Sequence, residues 1–363
     1  MTDIAIFVPS LNGGGAERVM VILANEFAAR GLKVDLIVVK AEGPYLSEIS
    51  PSVRVVDLKA KRAITSLPAF IRYLRKSRPK AMLSALDYAN VIATIARTCS
   101  MVSMRLIVSE RSNLSSALDA KSIRMRILVP LMWWAYRKAD GIVAVSIGVA
   151  EDLARVLHLP RGRVSVVYNP VVRPELIFRS QEPLHHPWLE SGAPPVILGV
   201  GRFHPAKDFP TLIRAFAKVR AECDCRLVIL GEGELRTDLE RLIQELGLVE
   251  SVLLPGFAAN PYAWMSRAAV FVLSSAWEGL PNALIEAMAC GVPVVSTNCP
   301  SGPYEILEGG KWGRLVPVGD KDACAREIKE VLREDFRKNA KSRAMMFSLE
   351  ESVQGYLVEI LGR

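Results

Sequence analysis

Apolar residues in this chain gather in short, nearly unbroken runs at 4–8, 33–39, 53–58, 81–86, 105–110, 141–146 and 164–169, many of them β-branched. Runs of that length, apolar at successive positions, predict parallel strands covered on both faces. Between them, residues 16–30, 64–77, 88–100, 121–138 and 147–157 have the spacing of helices. Strand and helix in strict alternation predict a doubly wound α/β domain.

The alternation stops at 170–195, where six prolines and the adjacent His185 and His186 interrupt any period. It resumes with apolar runs at 196–201, 226–230, 252–254, 270–274, 294–297 and 314–316. The expected organisation is a first Rossmann-like domain at 1–172, a linker at 173–195 and a second Rossmann-like domain at 196–346. A last helix within 347–363 is expected to pack back on the first domain. Open parallel sheets bind ligands at the carboxyl ends of their strands, so two such halves are expected to face across a cleft.

Composition narrows the setting. Residues 1–175 hold 25 Lys and Arg against 14 Asp and Glu, a net of +11, whereas the remainder holds 21 against 24, a net of −3. A basic first half suits an anionic surface or a lipid diphosphate, and no nucleic-acid-binding signature accompanies it. Six cysteines, at 99, 223, 225, 290, 299 and 324, form no CxxC pair and read as reduced thiols rather than zinc ligands. The first residues lack a basic segment and a long apolar run, and no stretch reaches the roughly 20 apolar residues of a membrane span. The expectation is a cytoplasmic protein, peripheral at the inner face of the plasma membrane.

Three stretches carry chemistry. Asn12-Gly13-Gly14-Gly15-Ala16-Glu17-Arg18 follows the first strand and opens a helix. Its glycines permit close backbone approach and the helix start offers amides to an anion, although a plain tight turn has the same look. Gly201-Arg202-Phe203-His204-Pro205-Ala206-Lys207 follows the first strand of the second half. Arg202 and Lys207, five residues apart at a strand end, can clamp a diphosphate and stabilise charge on it as it leaves, or stand as solvated cations. His204 in their midst reads as structural or solvated. The third, 274–291, runs from a strand end through Trp277-Glu278-Gly279-Leu280-Pro281-Asn282-Ala283 into a helix bearing Glu286 and stopping at Gly291. Glu278 and Glu286 suit sugar and ribose hydroxyls, or complement the helix dipole, and the amides near Asn282 and Ala283 suit the diphosphate.

In their order and spacing these elements, together with Leu230-Gly231-Glu232-Gly233-Glu234-Leu235 and Gly291-Val292-Pro293-Val294-Val295-Ser296, closely resemble the retaining glycosyltransferases of family four. That family has the GT-B fold of two Rossmann-like domains, and the resemblance spans nearly the whole chain. It implies that Arg202 and Lys207 bind the donor diphosphate and that Glu278, with them, forms the catalytic set by contacting the transferred sugar. It implies further that Glu286 meets the ribose, that Leu280, Pro281, Asn282 and Ala283 belong to the donor site, and that Gly14 and Gly15 lie near phosphates or acceptor. Many members read E-G-F-G-L-P; here Glu278 is followed directly by Gly279-Leu280-Pro281-Asn282. That form is similar to the bacterial subgroup that extends lipid-linked or surface glycans from UDP-hexose or UDP-N-acetylhexosamine.

The expected activity is therefore metal-independent transfer of a sugar, with retention, from a UDP-sugar to a polyisoprenyl-diphosphate-linked or nascent glycan. No nucleophile stands out, and front-face displacement fits that absence. The formal Asp320-Lys321-Asp322 pattern reads as a helix N-cap rather than a metal site. Candidates for the acceptor are Glu17, Glu110 and Arg111; the last two could equally form a structural ion pair. Helical stretches 64–78 and 121–134 combine apolar stripes with cations, the pattern either of an interfacial helix or of one packed on its sheet. A nucleotide-sugar epimerase or hydrolase of the same fold, or a non-catalytic binding module, are the competing readings.

Overall fold

The computed structural model describes residues 2–12, 14–119, 123–160, 162–333 and 340–362. The chain divides into two compact units, Met1–Pro170 with Leu349–Arg363, and Val171–Ser348.

The first unit is a parallel sheet built from β1 (Ile4–Val8), β2 (Val34–Val38), β3 (Arg54–Asp57), β4 (Ala81–Ala85), β5 (Arg105–Glu110), β6 (Gly141–Ala144) and β7 (Val164–Val166). Their order is β3-β2-β1-β4-β5-β6-β7. The connections carry α1 (Gly15–Ala29), α2 (Leu67–Ser77), α3 (Asp87–Ser100), α4 (Leu114–Asp119), α5 (Ile123–Lys138) and α6 (Ile147–Val156). The unbroken apolar runs have a direct cause. Along β1, Ile4, Ile6 and Val8 join the core beneath α1, while Ala5 and Phe7 join the core beneath α2 and α3. Both faces of the strand are dry, so every position must be apolar.

The second unit contains α7 (Pro174–Ser180), β8 (Val196–Val200), α8 (Phe209–Arg220), β9 (Arg226–Leu230), α9 (Arg236–Glu245), β10 (Val252–Gly256), α10 (Pro261–Met265) and β11 (Val270–Leu273). It continues with α11 (Asn282–Cys290), β12 (Val294–Thr297), α12 (Pro303–Ile306), β13 (Arg314–Val316), α13 (Lys321–Arg333) and α14 (Ala340–Ala344). Its parallel strands run β10-β9-β8-β11-β12-β13. Each sheet thus reverses direction once, between β1 and β4 in the first and between β8 and β11 in the second, which opens a crevice at those strand ends. Within 173–195, expected as a linker, the structure has α7 and a short 3-10 turn at Pro187–Leu189. This stretch is fastened to the second unit: Asn260 Nδ2 donates to Arg179 O at 2.8 Å and to Glu182 Oε2 at 2.7 Å, and Arg267 Nη2 donates to Glu182 O at 2.9 Å.

The chain then returns to the first unit as α15 (Leu349–Leu361). Val353, Tyr356 and Ile360, at helical spacing, are buried in the core beneath α1. Arg30 reaches Glu350 at 2.6 Å, and Arg105 Nε donates to Glu359 O at 2.8 Å.

Candidate functional site

In the second unit the loops after β8 and β11 flank the reversal point. Gly201, at the end of β8, carries no side chain where a Cβ would lie 3.3–3.4 Å from the Lys207 methylenes, so the lysine stem crosses directly over the strand end. Lys207 Nζ meets Glu278 Oε1 at 2.6 Å, with the two side chains 25% and 11% exposed. Ser275 Oγ donates to the same oxygen at 2.6 Å. The two loops are also joined through backbone, Ala276 N donating to Ala206 O at 2.8 Å, and Ser274 Oγ donating to Lys207 O at 2.7 Å. The cation and the carboxylate, 71 residues apart, are therefore brought together where the two loops meet.

The loop after β9 completes the crevice. Gly231 (φ 148°) and Gly233 (φ 157°) lie so close to Gly201 and Phe203 that a Cβ would fall 1.9 Å from Gly201 O and 2.5 Å from Phe203 O. Phe203 N donates to Glu232 O at 2.8 Å and Leu235 N to Phe203 O at 3.1 Å. Above this contact is a hollow of about 280 Å³ lined by Arg202, Phe203, His204 and Glu234. The Arg202 side chain is exposed and has no hydrogen bond or ion pair to a described residue. A guanidinium held out into a crevice suits an incoming anion.

α11 begins at Asn282 behind Pro281, and no side chain caps it. Leu280 and Pro281 are buried, the proline resting on Gly302, where a Cβ would come within 2.5 Å of its Cδ. Their contribution is thus to fix the turn, while Asn282 and Ala283 form the helix opening. Glu286, one turn further, accepts from Tyr262 Oη at 3.2 Å. The helix ends at Gly291 with φ 84°, as its sequence predicts.

In the first unit the matching crevice has another character. A hollow of about 770 Å³ is lined by Pro9, Ser10 and Asn12 after β1, Val39 after β2, Lys61–Ile64 after β3, and Tyr88 at the start of α3. Lys61 and Arg62 are its charged side chains, both exposed and neither ion-paired among the described residues. Gly14 and Gly15 open α1 two and three residues past Asn12; Gly13 lies outside the described residues. Glu17 folds back over Gly14, whose Cβ would fall 2.0 Å from Glu17 Oε2, and Ser10 Oγ donates to Glu17 Oε1 at 3.3 Å. At the end of β4, Leu86 has φ 80° and ψ 142°, a conformation that costs a branched residue and marks a constrained turn.

Glu110 and Arg111, expected at the acceptor, are placed otherwise. Glu110 is 1% exposed. Tyr136 Oη donates to its Oε2 at 2.6 Å and Arg111 N to its Oε1 at 3.0 Å. Burial, reinforced by the nearby Asp87 charge and opposed by the Tyr136 hydrogen bond, pushes its carboxyl up to about 7. The structure thereby removes Glu110 from any surface that an acceptor could touch. Arg111 makes no ion pair with it: its guanidinium donates to Tyr356 Oη at 2.8 Å and Asn169 Oδ1 at 2.7 Å, tying β5 to α15.

Known proteins resemble this chain in sequence and fold. The family model described as Glycosyltransferase Family 4 matches residues 13–173, and that described as Glycosyl transferases group 1 matches residues 194–334. The chain is 30% identical, over the full length of both proteins, to the N-acetylgalactosamine-N,N'-diacetylbacillosaminyl-diphospho-undecaprenol 4-alpha-N-acetylgalactosaminyltransferase of Campylobacter jejuni. The chain belongs to glycosyltransferase family four. A second Campylobacter jejuni relative is the GalNAc-alpha-(1->4)-GalNAc-alpha-(1->3)-diNAcBac-PP-undecaprenol alpha-1,4-N-acetyl-D-galactosaminyltransferase, 28% identical over 98% of each chain. Among solved structures, Anabaena HepE in complex with UDP and glucose superposes over 100% of both chains, with a TM-score of 0.79 at 21% identity. The likeness shows the fold: two parallel Rossmann-like sheets of the GT-B type.

Other parts of this family-four transferase bear on the choices its sequence left open. Asp320 Oδ1 accepts from the amides of Asp322 and Ala323 at 3.0 and 2.8 Å and caps α13, while Asp322 pairs with Lys218 at 2.7 Å. Among the described residues, no group of three or more His, Cys, Asp or Glu side chains is placed to hold a metal ion. On α2, Phe70 and Leu74 are buried, while Ile64 just before it is 57% exposed. On α5, Met125, Leu128 and Met132 are buried whereas Ile127, Leu131 and Trp133 are exposed, with Arg137 stacked 4.1 Å above Trp133. Of the stretch expected to be interfacial, Lys121 and Ser122 lie outside the described residues. No described helix is long and apolar enough to cross a membrane.

Reading the sequence missed Ser275, Tyr262, Lys61, Arg62 and Tyr88. The Lys61-Arg62 doublet after a strand was the available signal; Ser275 and Tyr262 had none beyond their neighbours.

Proposed function

We propose that the protein transfers a sugar, with retention of anomeric configuration and without a metal ion, from a UDP-linked donor to a lipid-diphosphate-linked or nascent surface glycan. The observation that carries this reading is the Lys207–Glu278 pair at 2.6 Å beside the unpaired Arg202.

Lys207 and Glu278 satisfy each other's charge across the crevice. A diphosphate entering the crevice offers Lys207 a stronger anionic partner, and Arg202 a bidentate one. Glu278 is then released toward the hydroxyls of the sugar, still oriented by Ser275 Oγ. The opening amides of α11 add their partial positive charge to the same phosphates. As the glycosidic bond breaks, negative charge grows on the terminal phosphate, and two fixed cations with a helix terminus stabilise it. The departing phosphate oxygen takes the acceptor proton on the same face, which retains configuration without a protein nucleophile. Glu286, steadied by Tyr262, is positioned on α11 to accept from the ribose hydroxyls.

For the acceptor, the hollow of the first unit supplies Lys61 and Arg62, free cations suited to a lipid diphosphate, together with Ser10 and Asn12 for sugar hydroxyls. Both Campylobacter jejuni relatives carry diphospho-undecaprenol substrates in their names, which supports this class. Exposed Ile127, Leu131 and Trp133, with Arg126 and Arg137 beside them, suit an anionic membrane surface, and so a cytoplasmic enzyme working at the inner leaflet.

The test is incubation with radiolabelled UDP- and GDP-sugars, with and without bacterial lipid extract and EDTA. Label entering the organic phase from a UDP-sugar, only with lipid and undiminished by EDTA, is the expected result. Free sugar would indicate a hydrolase, an altered nucleotide sugar an epimerase, and loss of transfer in EDTA a metal-dependent enzyme.

A further inference from the structure

The crevice of the second unit is bordered by a single 3-10 turn, Pro205–Lys207, and His204 stands at its N-cap with extended backbone (φ −136°, ψ 149°). His204 Nδ1 accepts from Ala206 N at 3.2 Å. Pro205 has no N–H to offer, so this bond meets the first free donor of the turn. Three other contacts belong to the same turn. Lys207 N donates to His204 O at 2.9 Å, Ala206 O accepts from Ala276 N, and Lys207 Nζ reaches Glu278. The ring therefore closes the turn that aims the lysine.

An imidazole that accepts at Nδ1 carries its proton at Nε2 when neutral, and loses its acceptor when a second proton arrives. The groups facing the ring come from three loops. Arg202 and Lys207 share its own loop, Glu234 approaches from the β9–α9 loop with Oε1 4.0 Å from Nε2, and Trp277 from the β11–α11 loop stands edge-on at 6.4 Å. Partial burial first, then Arg202 and Lys207, hold the ring below its ordinary value, and Glu234 opposes them. The neutral, capping form is thus the one the fold favours.

We propose that His204 is a positioning residue whose neutral, Nε2-protonated ring caps the Pro205–Lys207 turn and so sets Lys207 against the donor diphosphate. Its protonation releases the turn and weakens donor binding. The role rests on the proposed function, in which Lys207 binds the donor. Because the ring's value is lowered, the cap is intact above the ordinary histidine range and is lost as pH falls through the folded value.

The experiment compares UDP binding by calorimetry, between pH 8 and pH 5.5, for the wild-type chain, His204→Ala and His204→Asn. Long-range ¹H–¹⁵N spectra of the wild-type ring accompany it. Asparagine keeps an N-cap acceptor that cannot titrate. Loss of the cap in His204→Ala should weaken UDP about tenfold at pH 8, and His204→Asn should restore most of that. The UDP phosphate itself titrates near pH 6, so every variant will bind less well in acid. The wild type should lose about threefold to tenfold more than His204→Asn over the same range, and the ring should show the Nε2–H tautomer. Wild-type affinity in His204→Ala, identical pH curves for wild type and His204→Asn, or an Nδ1–H tautomer would each overturn the proposal. Failure of the wild type to bind UDP at pH 8 would instead strike at the donor reading, and the tautomer would then decide the cap alone.

Discussion

The two units share a strand order and place their crevices at equivalent reversal points, yet they fill them with opposite electrostatics. After β8 and β11, Lys207 is locked to Glu278 at 2.6 Å and the hollow beside them holds Arg202, His204 and Glu234. After β1 and β3, Lys61 and Arg62 face a hollow of about 770 Å³ with no carboxylate among its described lining residues. A balanced crevice can exchange partners when a ligand arrives, as a site that stabilises developing charge must. An unbalanced one holds a ligand whose charge does not change during reaction. On the proposed function, the same fold separates chemistry from holding by where it puts its acids.

The largest effect should come from breaking the balanced side. Lys207→Ala or Arg202→Ala should lower kcat by roughly two to three orders of magnitude, the range for losing one stabiliser of transition-state charge. Steady-state transfer assays check this, and near-normal turnover in both would remove the pair from the mechanism.

Next in size is a buried contrast within the first unit. Glu110 sits at about 7 in the folded chain against an unfolded value of 4.5, so the fold favours its protonated form. A raised carboxyl contributes stability that is complete below the unfolded value and lost as pH rises through the folded one. Stability should therefore fall between about pH 4.5 and 7 by about 3 kcal/mol, from 1.36 kcal/mol per unit. Glu110→Gln, neutral at every pH, should flatten that slope in denaturant titrations. An unchanged slope would mean that Glu110 is ionised within the fold.

The unbalanced crevice should respond more gently. Lys61→Ala with Arg62→Ala should raise KM for a lipid-diphosphate acceptor about tenfold, with donor KM and kcat nearly unchanged. An equal fall in kcat would erase the distinction between the two crevices.

The two crevices also differ in how plainly the sequence displays them. The strands were plain because burial on both faces demands apolar residues without a break, and the residues proposed for the donor because Arg202, Lys207, Glu278 and Glu286 sit in local motifs at strand ends. What the sequence could not display is who arrives from far away. Glu110 looked available at the end of β5, but Tyr136, 26 residues on, closes over it, and Tyr356, 245 residues on, takes Arg111. Lys61 and Arg62 carry no motif, and only the folded β1 and β4 loops bring them to a shared hollow. The capping role of His204 was equally hidden, since an N-cap histidine has no sequence signature.

The smallest predicted effect is the most exacting test of the lysine's path. Gly201 has ordinary backbone and is not needed for its conformation; what it spares is a tight contact, because its Cβ would stand 3.3–3.4 Å from the Lys207 stem. A methyl group there needs the lysine to yield by a few tenths of an ångström, which a flexible side chain can do, and the proposed cost is a shift of the stem that carries Nζ toward Glu278. Gly201→Ala should therefore fold normally and lose about threefold to tenfold in kcat/KM for the donor, since a small misplacement of a charged group weakens what it stabilises. The loss should vanish when Lys207 is already alanine, because the methyl then has nothing to displace. A double-mutant cycle in which the two losses simply add would place the lysine elsewhere, and with it the balanced crevice.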